Sequence, residues 1–282
     1  MLRIQQTIGL GYDFTSKVGD DQMFKPILAG LVLATTVTSA QAFEVKSGAI
    51  TLGYGEMKFN DGPGVELNNS FIGGQATLGF GDNFDLNFGF NHANSEILFE
   101  NMAVFSLSAD YRFSDVFSLG VFLDHTKLSD MYFSANIRHF GVQGSLYFNN
   151  FELMGFVGRG SDGEDESNVY GVDGSYSFAS GFDAGFFFIH EDFDYDAIKQ
   201  YGVHVGYALQ GDSAAPVYLN ITFGRSEGFF ETANHFGASV TVPLGNAAPR
   251  GTQHFHAHSA DINILSNFGR FGGGRPPRCL CD

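Results

Sequence analysis

Residues 78–91 read Leu78-Gly79-Phe80-Gly81-Asp82-Asn83-Phe84-Asp85-Leu86-Asn87-Phe88-Gly89-Phe90-Asn91. After Gly81-Asp82-Asn83, whose residue types favour a tight turn, large apolar side chains fall at every second position: Phe84, Leu86, Phe88 and Phe90. Asp85, Asn87, Gly89 and Asn91 lie between them. Side chains two residues apart share one face of a strand. The stretch therefore predicts a hairpin with one greasy face and one small, polar face.

The same alternation runs from 46 to 245. Phe105, Leu107, Ala109, Tyr111 and Phe113 oppose Ser106, Ser108, Asp110 and Arg112; Tyr170, Val172, Tyr176 and Phe178 oppose Gly171, Asp173, Ser175 and Ser177. The pattern predicts strands at 46–59, 68–80, 84–95, 101–113, 116–128, 134–148, 151–160, 168–178, 182–192, 198–209, 216–226 and 232–245. Tight turns at 81–83, 114–115, 149–150 and 179–181, and a slightly longer one at 210–215, alternate with longer polar loops at 60–66, 95–100, 129–133, 161–166, 192–197 and 227–231. Short turns on one side and long loops on the other are the habit of an up-and-down transmembrane barrel. Each tight turn is also flanked by apolar-face Phe: Phe80 and Phe84, Phe113 and Phe117, Phe148 and Phe151, Phe178 and Phe182. In a barrel these form an aromatic girdle at one membrane boundary.

Composition agrees. The 282 residues include 37 Gly and 32 Phe, only 16% are charged, and the net charge of −16 disfavours a nucleic-acid partner. A soluble sandwich also alternates, but here the face opposite the apolar one is rich in Gly, Ser, Thr, Asn and Asp, as a wet interior requires. Lipid solvates only a sheet without unpaired backbone groups, so the sheet must close. The expected fold is all-β: a closed antiparallel up-and-down transmembrane β-barrel of about 12 strands.

Upstream, Met23-Phe24-Lys25, the apolar stretch from Ile27 to Val37 and Ala40-Gln41-Ala42 read as a signal peptide over 23–42, cleaved near Ala42. Residues 1–22 then read as a start assigned too early, or as an extension, 43–245 as the barrel, and 246–282 as a disordered tail. Cys279 and Cys281, in that tail, supply no disulfide framework.

With the signal ending Ala40-Gln41-Ala42 and turns such as Tyr147-Phe148-Asn149-Asn150-Phe151, residues 43–245 resemble a Gram-negative outer-membrane β-barrel of the porin-like kind, in an alphaproteobacterial style. The resemblance implies the outer membrane as location, lipids and lipopolysaccharide as surroundings, and homo-oligomers as an assembly such barrels adopt. One departure stands out: such barrels end on an aromatic residue, and here the last strand ends Val242-Pro243-Leu244-Gly245 with a tail beyond it.

The polar face supplies the expected pore lining: Asp85, Asn87, Asp110, Arg112, Asp124, Glu152, Asp173, Asp183 and His204, joined higher up by Asn91, His139, Gln143, Asn220 and Thr222. Acids outnumber bases on it, and a negative lumen favours cations. The same groups could merely pair with one another, Arg112 with Asp110 or Asp85. The loop acids Asp162, Glu164, Asp165 and Glu166, and Glu191, Asp192, Asp194 and Asp196, lack calcium-loop spacing and read as solvated.

Catalysis finds little support. None of His92, His125, His139, His190, His204 and His235 precedes a Ser by two positions, the pairing of barrel phospholipases. His190-Glu191-Asp192 reads as a polar strand end and Gln210-Gly211-Asp212-Ser213 as a turn. His254, His256 and His258 alternate in the tail, but their spacing matches no metal site. The sequence thus predicts a non-enzymatic channel, without cofactor or metal, passing ions and small hydrophilic solutes with a weak cation preference. The alternatives are a non-conducting structural or surface-interaction barrel and, more remotely, an outer-membrane hydrolase.

Overall fold

A computed structural model describes residues 43–60, 66–95, 101–129, 134–163, 165–179, 181–193, 197–209, 217–228 and 231–244. The signal segment, the first 22 residues, the tail and most of the long loops lie outside the described residues. Twelve strands follow in order: β1 (Glu44–Phe59), β2 (Glu66–Phe80), β3 (Phe84–Ser95), β4 (Asn101–Ser114), β5 (Phe117–Ser129), β6 (Ser134–Phe148), β7 (Phe151–Ser161), β8 (Glu166–Ser177), β9 (Phe182–Phe193), β10 (Ala197–Leu209), β11 (Val217–Gly228) and β12 (Glu231–Pro243). Every strand pairs antiparallel with its chain neighbours, and β1 also pairs with β12, closing the barrel. No expected strand end is off by more than two residues.

Turn chemistry explains the tight ends. Gly81 takes φ 62° and Asn149 φ 53°, the left-handed conformation that Gly and Asn tolerate best. A bulge between Val45 and Ser47 leaves Lys46 without a partner in register, and its ammonium group reaches Asp85 in the interior.

A line at right angles to the strands, followed through all twelve registers from Leu52, returns to β1 about 14 positions further on. That stagger tilts the strands by about 40° and sets a backbone radius of about 12 Å. Strands of 11 to 16 residues at this tilt cover the bilayer core and project slightly beyond it.

The alternation holds as read. Leu52, Phe140 and Phe223 on the outer wall are 56%, 55% and 52% exposed. So large a continuous apolar surface suits lipid, not water. At the turn end the outer wall is aromatic: the Phe80–Phe84, Phe113–Phe117 and Phe182–Tyr207 ring centroids lie 5.8, 5.6 and 4.8 Å apart.

Two expectations fail. The difference in connection length fades along the chain: β9 ends at Phe193 and β10 begins at Ala197, β11 ends at Gly228 and β12 begins at Glu231, yet Leu209 to Val217 on the turn side is a wider gap than either. Strand pairing continues into what read as loop, because backbone hydrogen bonds extend past the end of the apolar alternation. The inner face is also less polar than it read. Met57, Phe59, Phe71, Met102, Leu128 and Ile137 point inward and pack into one buried cluster near the end remote from the barrel termini.

Candidate functional site

The interior divides into two levels. At the turn end, Asp85 of β3 is held between two cations: Lys46 Nζ donates to Oδ1 at 2.5 Å, and Arg112 Nη2 lies 3.4 Å from Oδ2. Lys46 comes from β1 and must cross β2 to arrive. It passes over Gly79, where a Cβ would collide with the lysine chain. Beside this group, Asp110 of β4 accepts from Gln143 Nε2 at 2.6 Å through Oδ1, and from Asn87 Nδ2 at 2.8 Å and Ser108 Oγ at 3.2 Å through Oδ2. Gln143 lies on β6, and the strand between carries Gly120, paired directly with both Asp110 and Gln143.

Higher up the same device recurs. Glu191 Oε1 accepts from Ser167 Oγ at 2.6 Å and lies 3.0 Å from His139 Nε2. The three side chains come from β9, β8 and β6 and meet above Gly160 of β7. In each case a glycine on the intervening strand lets polar groups from its neighbours join across it. Large side chains use glycine similarly. Phe71 lies over its direct partner Gly53, Phe156 over Gly171, and Phe187 over Gly202. Inward glycine therefore serves less to widen the bore than to let a neighbour lie flat against the wall.

The nine residues expected from the sequence to line a pore fall on the inward parity of their strands, and the structure sorts them. On β3 and β4, Arg112 lies against Asp85 and Asn87 donates to Asp110, the two pairs standing side by side through the register pairing of Asp85 with Asp110. Arg112 pairs with Asp85 rather than with Asp110. Glu152, Asp173 and Asp183 lie on β7, β8 and β9, about half the circumference away. Asp124 is buried further up, directly paired with His139, and His204 lies over its partner Gly185. Lys46 and Arg112 are the sole inward Lys or Arg among the described residues, so at the turn end one inner wall holds the cations, and the charged groups named on the opposite wall are carboxylates.

Glu191 overturns a sequence expectation. It read as one acid of a solvated loop, yet it lies in β9, faces inward and is 2% exposed. The alternation of Phe187, Ile189, Glu191 and Phe193 on one parity was the signal that could have placed it. Sequence reasoning also missed Lys46, which a bulge re-aims, and Gln200 and His235, buried inward side chains whose side-chain polar atoms have no hydrogen-bond partner among the described residues. The Ser167–Glu191–His139 group does not assemble a nucleophile: the hydroxyl donates to the carboxylate, not to the imidazole. Among the described residues no cluster of His, Cys, Asp and Glu has the form of a metal site.

No family model matches the chain, and no curated protein matches it. Solved structures resemble it weakly. An outer-membrane channel from Pseudomonas putida F1 is 12% identical with a TM-score of 0.46, covering 71% of this chain and 96% of its own. The KdgM porin is 12% identical with a TM-score of 0.44, covering 67% and 97%. OccK7 (OpdD) of Pseudomonas aeruginosa is 12% identical with a TM-score of 0.40, covering 74% and 66%. A likeness at this level concerns the form of the barrel and says nothing of what enters it.

Proposed function

We propose that the protein is an outer-membrane channel for ions and small hydrophilic solutes, with a weak preference for cations. The observation that carries this reading is the divided charge of the inner wall at the turn end. Lys46 and Arg112 share Asp85 on one wall, while Glu152, Asp173 and Asp183 line the other. Fixed charges of one sign in excess raise the local concentration of the opposite ion. The lipid-compatible outer wall and the closed backbone support the location.

The apolar inward cluster above these charged groups narrows the path, so the expected conductance is small. Planar-bilayer recording in a salt gradient tests the reading. The wild-type reversal potential should favour cations, and the variant Glu152→Gln/Asp173→Asn/Asp183→Asn should move it toward zero. A second reading, a non-conducting structural barrel, draws on the same buried cluster. Absence of discrete current steps from verified folded protein would select it.

A further inference from the structure

The outer wall has a charge pattern unrelated to the lumen. Alternation places Lys58, Lys127, Arg138, Arg159, Lys199 and Arg225 on the lipid side, all toward the end remote from the barrel termini. At the other end the outer wall is aromatic and holds no Lys or Arg among the described residues. Snorkelling at membrane boundaries in general would place cations at both ends.

The belt is densest on β5, β6 and β7. Arg138 pairs directly with His125 on one side and Ser161 on the other, so Lys127 and Arg159 take the diagonal positions beside it. Lys58 and Arg225 have carboxylates at 2.6 and 3.2 Å. Within the three-strand patch the ion pair is a looser one, Arg159 to Glu166 at 3.6 Å between two largely exposed side chains. Three clustered cations repel one another unless an anion sits among them. Directly beneath, Leu123, Phe140 and Val157 form an exposed apolar strip, with Phe140 paired to both Leu123 and Arg159. Phosphate-sized charge above and hydrocarbon below match the two ends of one kind of molecule.

We propose that Lys127, Arg138 and Arg159 hold the phosphate of a phosphorylated lipid in the leaflet at that rim, with an acyl chain along Leu123, Phe140 and Val157. The site rests on the membrane reading above but not on conduction. The test is native mass spectrometry of the folded barrel in detergent, titrated with lipid A. At roughly fivefold per cation, Lys127→Gln/Arg138→Gln/Arg159→Gln should weaken retention about a hundredfold. Lys58→Gln/Arg225→Gln should change it little, and lipid A stripped of phosphate should bind as weakly as the triple variant does. Equal retention by the triple variant and wild type overturns the site. Equal loss in the control variant reduces it to general charge, and full competition by millimolar inorganic phosphate removes the lipid; either result also overturns the proposal. Single-channel conductance of the triple variant should be unchanged, so failure here and failure of the channel reading are separable.

Discussion

Replacing Glu191 by Ala opposes what its sequence context suggests to what its position requires. The carboxylate accepts from Ser167 Oγ at 2.6 Å and faces His139 Nε2 at 3.0 Å, while 2% exposed. A hydrogen bond to a charged group contributes about 1.5–3 kcal/mol, so two are worth roughly 3–6 kcal/mol. Against this, alanine recovers a carboxylate desolvation cost of several kcal/mol, which offsets part of the loss. A net destabilisation of about 1–3 kcal/mol is expected, because Ser167 and His139 remain buried after their acceptor is gone. Glu191→Gln, which still accepts from Ser167, should lose about half as much. Urea unfolding in detergent micelles, followed by heat-modifiable gel migration, measures both. A double-mutant cycle with Ser167→Ala should give a coupling of about 1 kcal/mol or more. If Glu191→Ala unfolds at the wild-type midpoint with no coupling, the four-strand bridge over Gly160 does not exist in the folded protein.

The outer wall gives a depth test: Val121→Arg, in the middle of the exposed apolar band, should cost about 2–4 kcal/mol, and Asn136→Arg near the rim about 0–1, in urea unfolding from lipid vesicles. Equal costs at the two positions would mean that this face is not in hydrocarbon. The glycine seats give a second test. A Cβ at Gly171 would strike the Phe156 ring and meet the Phe188 carbonyl at 2.6 Å, so Gly171→Val should push Phe156 toward the axis. Its unit conductance should fall and its stability drop by about 1–3 kcal/mol. Gly144→Ala, whose nearest contact would be Ser118 O at 3.5 Å, should change neither.

The strands were legible because each carries its own signal. In β3, Phe84, Leu86, Phe88 and Phe90 announce the outer face without help from any other segment. The girdle and the inward parity of Asp85, Asp110 and Asp173 followed from the same local rule. What sequence could not supply is register. That Asp110 and Gln143 meet over Gly120 depends on β4, β5 and β6 being aligned to the residue, and a slip of one position in β4 or β6 would send its polar side chain to the other face. Glu191 was misplaced for a related reason. Neighbours such as His190, Asp192 and Asp194 suggested a solvated run, whereas pairing with β8 and β10 carries the strand to Phe193. Loop length misled in the last third of the barrel, where hairpins tighten at the rim and widen at the turn end.

Orientation therefore has to come from the walls rather than from the connections. The apolar band alone is symmetric, and a barrel inserted either way up would bury it equally. The two ends differ in kind, however: outward Phe and Tyr with no base at the turn end, outward Lys and Arg at the other. Aromatic rings tolerate either interface, so the girdle does not choose a side. The basic rim favours the side whose leaflet carries anionic head groups, at about 1 kcal/mol per cation, while Lys58, Arg159 and Arg225 also have carboxylates near them on the same wall. The interior is graded along the same axis. The inward charged groups lie at the end where both barrel termini lie, and the apolar inward cluster sits beneath the basic rim. On the channel reading proposed above, a solute entering from that rim would meet the apolar section first and the carboxylates afterwards.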